Sequence, residues 1–357
     1  MGLIFCDSFD HYAYADILKK WSSLSDTNDQ SGIGSSYGRL GTDGLRMGHS
    51  GYSSSAQEFV RLLAASVTTA TVGAAVRPGS IGQKSVLFGF RHGSTIQVRL
   101  HMSAASPGRL ALSRGGNFYD PVANGATSYA TSNIGLDAGT WYFVELQVKS
   151  FHSTAGSVEV RVNGVADASL TLTNANTDMA GTGHADTLIL GGGGLAAGHF
   201  VDCDDLYVRD DTAFMGDVRV SALFPTGAGA HADFTRGATD SGANWSQVDE
   251  TAPNSDTDFN ASATVDSIDS FAMGNIGQTA ATILGVQTNI FARKTDAGTR
   301  NLAPFERSGT TETPGTGVPL STAYTYQRAT ADVNPATGIA YTLAEINALE
   351  VGYKLTA

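Results

Sequence analysis

The stretch Trp141-Tyr142-Phe143-Val144-Glu145-Leu146-Gln147-Val148-Lys149 runs through Thr154-Ala155-Gly156 into Ser157-Val158-Glu159-Val160-Arg161-Val162-Asn163-Gly164-Val165. Its alternation decides the fold class. Tyr142, Val144, Leu146 and Val148 share one face of the first arm, and Phe143, Glu145, Gln147 and Lys149 share the other. Val158, Val160 and Val162 repeat the pattern against Glu159, Arg161 and Asn163. A period of two broken by a Gly-containing loop predicts a hairpin in a sheet with one packed and one wet face. Asn163-Gly164 predicts a second tight reversal, because both residues tolerate positive φ.

Working outward, short strand-like runs separated by Gly, Asn and Ser dominate. Residues 3–9 open the chain as a strand. In His11 to Trp21 the residues Tyr14, Ile17, Leu18 and Trp21 recur at helical spacing, which predicts a short helix. Residues 22–56 are polar and Gly/Ser-rich, with short edge strands at 38–40 and 44–47. Strands follow at 72–76, 85–90, 97–102 and 109–113. Leu188-Ile189-Leu190 runs into the glycines 191–194, a turn or close backbone approach. The strand 200–209 places Val201, Cys203 and Asp205 on one face, with Asp204, Leu206 and Val208 on the other. Composition shifts after it. A strand at 218–224, a hairpin of 281–293 with 300–307 around Asp296-Ala297-Gly298-Thr299, and a strand at 324–328 lead to Thr342-Leu343-Ala344-Glu345. The last is a capping box, in which hydroxyl and carboxylate each satisfy a free amide. The expected architecture is all-β: a jelly-roll sandwich over residues 1–212, then a smaller β-sandwich with one short helix over 213–357.

The chain has 357 residues, 41% of them hydrophobic, enough for real cores, and 42 glycines placed between strand-like runs. A net charge of −12, with 22 Lys and Arg scattered singly, argues against nucleic-acid binding. No apolar run reaches the roughly 20 residues that span a bilayer, and the first residues carry no secretory leader pattern, so membrane insertion is not expected. Cys6 and Cys203 lie in the opening and closing strands of the first domain, where reduced, buried packing is expected.

The segments Phe5-Cys6-Asp7-Ser8-Phe9-Asp10-His11-Tyr12, Trp141 to Leu146, Val160-Arg161-Val162-Asn163-Gly164 and Asp204-Asp205-Leu206-Tyr207-Val208 resemble the concanavalin A-like (laminin G-like) jelly rolls. Together with Gly216-Asp217-Val218-Arg219-Val220 and the run from Asn334-Pro335-Ala336-Thr337-Gly338 to Ala348-Leu349-Glu350, nearly the whole chain resembles tailed-bacteriophage virion proteins of that fold. The resemblance implies a non-enzymatic structural protein of the virion, assembled in the host cytoplasm as a homo-oligomer. A surface-exposed tail appendage adhering to host surface glycans is the first expectation, and a capsid decoration protein stabilising the head is the alternative. The implied partners are other tail or capsid subunits. In related sandwiches an acid near the first strand and another in the last hold calcium, which makes Asp7 with Asp204 or Asp205 candidate ligands of a structural Ca²⁺. The plainer reading is that these carboxylates accept turn and strand-end amides.

The fold also hosts glycan-degrading enzymes, the third expectation. Retaining hydrolysis needs two carboxylates about 5 Å apart, and no Glu-x-Asp-x-x-Glu strand supplies them. Glu145 and Glu159 are single acids on polar faces, and adjacent Asp204 and Asp205 are expected on opposite faces. No nucleophile elbow, zinc-binding helix or phosphate loop is present. The reading is therefore no enzyme. Asp249, Glu250, Asp256 and Asp258 form an acidic cluster expected as a solvated loop face. Tyr37, Tyr52, Phe118, Tyr119 and Tyr129 lie in loop-like stretches as packing anchors or sugar platforms.

Overall fold

The computed structural model describes residues 2–25, 31–48, 58–82, 84–104, 108–116, 125–191, 199–238, 242–278 and 282–357. Tyr52, Phe118, Tyr119 and the glycines 192–194 lie outside them. The protein is all-β and divides into two units. One comprises Met1–Phe9 and Trp21–Val220, the other Asp10–Lys20 and Ser221–Ala357.

In chain order the first unit contains β1 (Leu3–Asp7), β2 (Ser23–Ser25), β3 (Gly32–Gly34), β4 (Gly44–Gly48), β5 (Glu58–Val67), β6 (Ala70–Pro78), β7 (Ser85–His92) and β8 (Thr95–Met102). It continues with β9 (Gly108–Gly115), β10 (Ala126–Leu136), β11 (Tyr142–Ser150), β12 (Gly156–Val162), β13 (Val165–Ala166), β14 (Leu172–Ala175), β15 (Ala185–Leu190) and β16 (Phe200–Arg209). Sheet A has the order β13-β12-β11-β6-β16-β4-β3, with β1 also on β16 and β14 on β12; sheet B runs β10-β9-β8-β7-β15-β5-β2. Two antiparallel sheets with such crossovers make a jelly roll. The 38–40 segment is a turn rather than a strand.

The expected hairpin is present, with Val144 opposite Val162, Leu146 opposite Val160 and Val148 opposite Val158. Asn163 (φ 50°) and Gly164 (φ 78°) form its reversal. These valines and Leu146 face the interior. There Trp21 joins the two layers, with its ring 5.6 Å from Phe5 of sheet A and 6.3 Å from Phe59 of sheet B, both edge-on.

The wet face expected for β11 is dry from Phe143 to Gln147, and Lys149 alone of the four is exposed. Phe143, Glu145 and Gln147 are all buried, because segment 211–220 runs across them. Gln147 Nε2 donates to the Thr212 carbonyl (2.6 Å), and Glu145 Oε1 accepts from the Gly216 N–H (2.9 Å) and the Tyr207 hydroxyl (2.5 Å). Leu3, Ala75, Phe143 and Tyr207, with Met215 and Val218 of this strap, make a second small core on the outer side of sheet A. The expected strand at 218–224 and the domain boundary at 212/213 are corrected accordingly. The strap is irregular and bonded to sheet A, so the boundary falls after Val220.

A β-bulge in β16 re-aims its side chains. Register slips between Asp204 and Tyr207, and Asp205 takes φ 53°, a left-handed conformation that Asp tolerates. Cys203 and Val208 stand beside Val76 and Val72 on the interior side, while Tyr207 stands beside Gly73 on the outer side. The expected grouping of Cys203 with Asp205 and of Asp204 with Val208 is broken by this one extra residue. The pairing of β1 with β16 sets Cys6 opposite Tyr207. Both cysteines are free thiols, and burial pushes the Cys203 thiol well up.

The second unit contains β17 (Pro225–Ala232), β18 (Thr235–Ala238), β19 (Asp258–Ala261), β20 (Ile268–Met273), β21 (Val286–Ala292), β22 (Asn301–Ser308), β23 (Thr311–Pro314), β24 (Val318–Pro319), β25 (Thr325–Ala331) and β26 (Glu350–Leu355). The main sheet is β17-β20-β26-β22-β23, with β24 on β22; β18-β19 and β21-β25 are two-stranded ribbons. The expected 281–293/300–307 hairpin is corrected: β21 pairs with β25, and β22 with β26. The capping box opens α2 (Leu343–Ile346) as expected, with Thr342 Oγ1 accepting from Glu345 N–H and Glu345 accepting from Thr342 N–H.

The expected N-terminal helix forms as a 3-10 turn followed by α1 (Ile17–Lys20), within the second unit. There the Tyr326 hydroxyl donates to the His11 carbonyl (3.0 Å), and Lys19 lies 4.9 Å over the Phe291 ring.

A Cβ on Gly73 would fall 2.3 Å from the Tyr207 ring. Gly73→Ala is therefore expected to displace Tyr207, break its bond to Glu145 and cost about 1–3 kcal/mol of stability, read as a lower urea midpoint. An unchanged midpoint would show that the strap and Tyr207 repack freely.

Candidate functional site

Sheet B is apolar on the side facing sheet A, where Phe88, Phe90, Val98, Leu100 and Leu112 are fully buried. Period-two alternation along β8 therefore directs Arg99 and His101 to the other side, while a register slip at Gln97 takes that residue out of the alternation. All three are 0–1% exposed. Arg99 stands in register between Gly89 on β7 and Ser113 on β9; His101 stands between Val86 and Ala111. The neighbours Gly89, Ser113 and Ala111 are small. A Cβ on Gly89 would meet the Val98 carbonyl oxygen at 2.5 Å and the Arg99 Cβ at 2.7 Å, so the glycine is what lets the two backbones close up beside Arg99.

The Ser113 hydroxyl links the two basic groups. Arg99 Nε donates to Ser113 Oγ at 2.9 Å, and His101 Nδ1 lies 3.4 Å from the same oxygen. With His101 assigned as the Nδ1–H tautomer, Ser113 Oγ accepts from both, and Nε2 is the basic nitrogen. Further along the face, Arg91 pairs with Glu58 at 2.5 Å; burial raises the Glu58 carboxyl, against the pull of Arg91.

Gln97 is a strut. Its Nε2 donates to Asp178 Oδ1 (2.9 Å) and the His184 carbonyl (3.1 Å), while its Oε1 accepts from the N–H groups of Met179 (2.6 Å) and Ala180 (3.1 Å). An amide makes four such bonds, so Gln97 is saturated and clamps segment 178–184 to β8. Tyr129, one of the loop aromatics, anchors the same segment by donating its hydroxyl to the Asn176 carbonyl. Burial pushes that phenol up to about 12, with Arg114 opposing. Tyr37 instead stacks under the Arg46 guanidinium, 4.1 Å away.

The three candidate calcium ligands are committed to the protein. Asp7 accepts from the Phe9 N–H (3.0 Å) and the Trp21 indole (3.1 Å). Asp204 accepts from the N–H groups of Asp205 (2.7 Å) and Arg39 (2.7 Å) and from the Thr42 hydroxyl (3.2 Å). Asp205 accepts from the Val220 N–H (2.8 Å) and Arg39 Nε (2.9 Å). Far from pointing to opposite faces, Asp204 and Asp205 converge on Arg39, because the bulge turns the second carboxylate round. Each of the six oxygens meets an N–H donor, so this set does not fit a calcium ion. Among the described residues, no group of three or more His, Cys, Asp or Glu is placed to hold a metal.

The acidic loop of the second unit is more than a solvated face. Asn254 Nδ2 bridges Glu250 and Asp258, and burial together with Asp258 raises the Glu250 carboxyl to about 7. Asp256 pairs with Arg293 at 2.8 Å and accepts from the Tyr324 hydroxyl.

The row on β8 escaped the sequence reading because a polar residue at every second position of a strand is what a solvated face presents. The distinguishing signal was an Arg and a His interleaved among Ile96, Val98, Leu100 and Met102, with small residues on the neighbouring strands.

No protein-family model matches the chain, and no curated protein matches it. Among solved structures, an endo-β-1,4-glucuronan lyase from the fungus Trichoderma reesei is similar at 15% identity, covering 59% of this chain and 100% of that one, with a TM-score of 0.41. A PL-14 alginate lyase from Aplysia kurodai is similar at 14% identity, 58% and 97% coverage and a TM-score of 0.43. A carbohydrate-binding module from Bacillus subtilis follows at 10% identity, 46% and 85% coverage and a TM-score of 0.31. These are likenesses of fold. The expectation of a non-enzymatic tail appendage or head decoration protein is corrected in one respect: the similar structures include polysaccharide lyases.

Two outcomes follow from the site. EGTA is expected to leave the unfolding temperature unchanged, whereas a downward shift in calorimetry would restore a structural cation. Burial opposes ionisation of Asp178, yet the bonds from Gly183 N–H, Gln97 and Thr182 N–H outweigh it and hold the carboxyl below its usual range. That stability is complete above the unfolded-state carboxyl value, about 4, and is lost as pH falls through the lower folded value. Asp178→Asn should flatten the acid limb of the stability profile.

Proposed function

We propose that the first unit binds an acidic polysaccharide on the outer side of sheet B and cleaves it by β-elimination. The observation that carries this reading is the placement of Arg99 and His101 around the Ser113 hydroxyl, on a sheet face where Gly89 and Ser113 flank Arg99.

A uronate sugar has a carboxylate next to the carbon whose proton must leave. A guanidinium neutralises that carboxylate through two parallel N–H bonds and so makes the proton more acidic. Burial strengthens this effect, since fewer waters screen the charge. In this scheme Arg99 holds the carboxylate and His101 Nε2 takes the adjacent proton. The electron pair released from the C–H bond forms the carbon–carbon double bond, the glycosidic C–O bond breaks, and the departing oxygen receives its proton from the imidazolium. Ser113 positions both groups. Both are closed off from solvent in this conformation, so substrate entry involves opening of the face. The overall charge of −12 opposes a polyanion at long range, but at physiological salt such repulsion decays over about 8 Å.

Incubation with alginate and with polyglucuronate is expected to produce unsaturated sugar ends, followed by ultraviolet absorbance. His101→Ala should lower turnover by about 100-fold or more while retaining binding, and Arg99→Ala should weaken both. If neither polymer gains unsaturated ends, elimination is excluded for these two backbones; if one does and His101→Ala cleaves as fast, the base lies elsewhere.

A further inference from the structure

A second charged row crosses the outer side of sheet A. Arg46 on β4, Asp202 on β16 and Arg77 on β6 are direct cross-strand neighbours. Asp202 is fully buried and holds both arginines. Its Oδ1 accepts from Arg46 Nε (2.7 Å), and its Oδ2 accepts from Arg46 Nη2 (3.0 Å), Arg77 Nε (3.0 Å) and Arg77 Nη2 (2.6 Å). The row carries two cations to one carboxylate. Asp204, two residues along, is engaged by the Arg39 N–H and the Thr42 hydroxyl.

Aromatic rings wall the row. The Arg46 guanidinium carbon lies 3.6 Å from the centre of the Phe200 ring and 4.1 Å from that of Tyr37, and the Arg77 guanidinium carbon lies 4.9 Å from the Trp141 ring. Such stacking fixes the planes of the guanidinium groups. Arg77 Nη2 is further tied to the Ser36 carbonyl at 2.7 Å. The Nη1 nitrogens of both arginines make no hydrogen bond among the described residues, and the two side chains keep 22% and 23% of their surface exposed. Held planar and anchored on one side, they present N–H edges on the other, an arrangement that costs little entropy when an oxyanion arrives. Half-buried Trp141, Tyr37 and Phe200 add apolar surface of the kind a sugar ring packs on.

We infer that Arg46 and Arg77, set by Asp202 and walled by Trp141, Tyr37 and Phe200, form a binding site for an anionic sugar unit, separate from the row on sheet B. The inference does not depend on the elimination chemistry.

The test uses the full-length Arg99→Ala protein, which removes the principal carboxylate-binding group on sheet B, so that failure of cleavage and failure of this site are read separately. A mannuronate tetramer is titrated by calorimetry, with maltotetraose as the neutral control, while Trp141 fluorescence is followed in parallel. The tetramer is expected to bind and perturb the emission; maltotetraose is expected to do neither. Arg46→Gln or Arg77→Gln should weaken binding about tenfold or more, the value of a charge-assisted bond pair. Should a glutamine variant not fold, Arg77→Lys reads the same loss of the flat N–H edge. Equal affinity across these proteins, or no binding by the parent, would overturn the site. Trp141→Phe should abolish the optical change and keep the calorimetric one; an optical change that persists would place the ligand near another tryptophan and also overturn it.

Discussion

The guanidinium of Arg39 is the tie on which the outer architecture of sheet A depends. It bonds the Asp205 carboxylate, the Asp217 carboxylate and the Val218 carbonyl, while the residue's own N–H goes to Asp204. One half-buried cation thereby joins the long polar segment after β1, the bulge in β16 and the strap beyond it. Removing one partner of so enclosed a set strands the others without donors, which costs more than the bond itself. Burial raises the Asp205 carboxyl even with Val220 N–H, Arg219 and Arg39 pulling it down.

With the strap in place, the middle of sheet A is buried on both sides, and β6 reads as an almost unbroken buried run. This explains Glu145 and Gln147 on β11, polar residues in dry surroundings whose bonds go mostly to the strap and to Tyr207. Sheet B solves the same problem differently, setting a guanidinium and an imidazole on its outer side, while the Gln97 amide secures segment 178–184. Two outer faces, one closed by a strap and one furnished with basic groups, place the chemically useful residues on the strands of a rigid sandwich. Rigid strands hold a constellation more accurately than loops do.

The legible part of the fold was the part set by local pattern. The alternation of β11 and β12, the Asn163-Gly164 reversal and the Thr342/Glu345 capping box each follow from side-chain period or turn chemistry. What could not be read is non-local. Period two says that Glu145 and Leu146 face opposite ways, but not that a segment some seventy residues later covers the glutamate. The bulge at Asp205 depends on a left-handed φ that Asp merely tolerates. It reverses the side on which Leu206, Tyr207 and Val208 stand, and with it the fate of the acids first weighed as calcium ligands. The β8 row was visible as letters, and its burial was not. Arg46, Asp202 and Arg77 lie on three strands that come together only through the topology.

Asp10–Lys20 belongs to one unit, although the residues on either side of it belong to the other. The backbone therefore passes between the units at three places: after Phe9, after Lys20 and after Val220. No single cut separates two self-sufficient pieces. A fragment beginning at Ser221 would lack His11, Tyr12 and Lys19 beside Tyr326 and Phe291. During synthesis the bond from Tyr326 to the His11 carbonyl can form only once nearly the whole polypeptide has emerged.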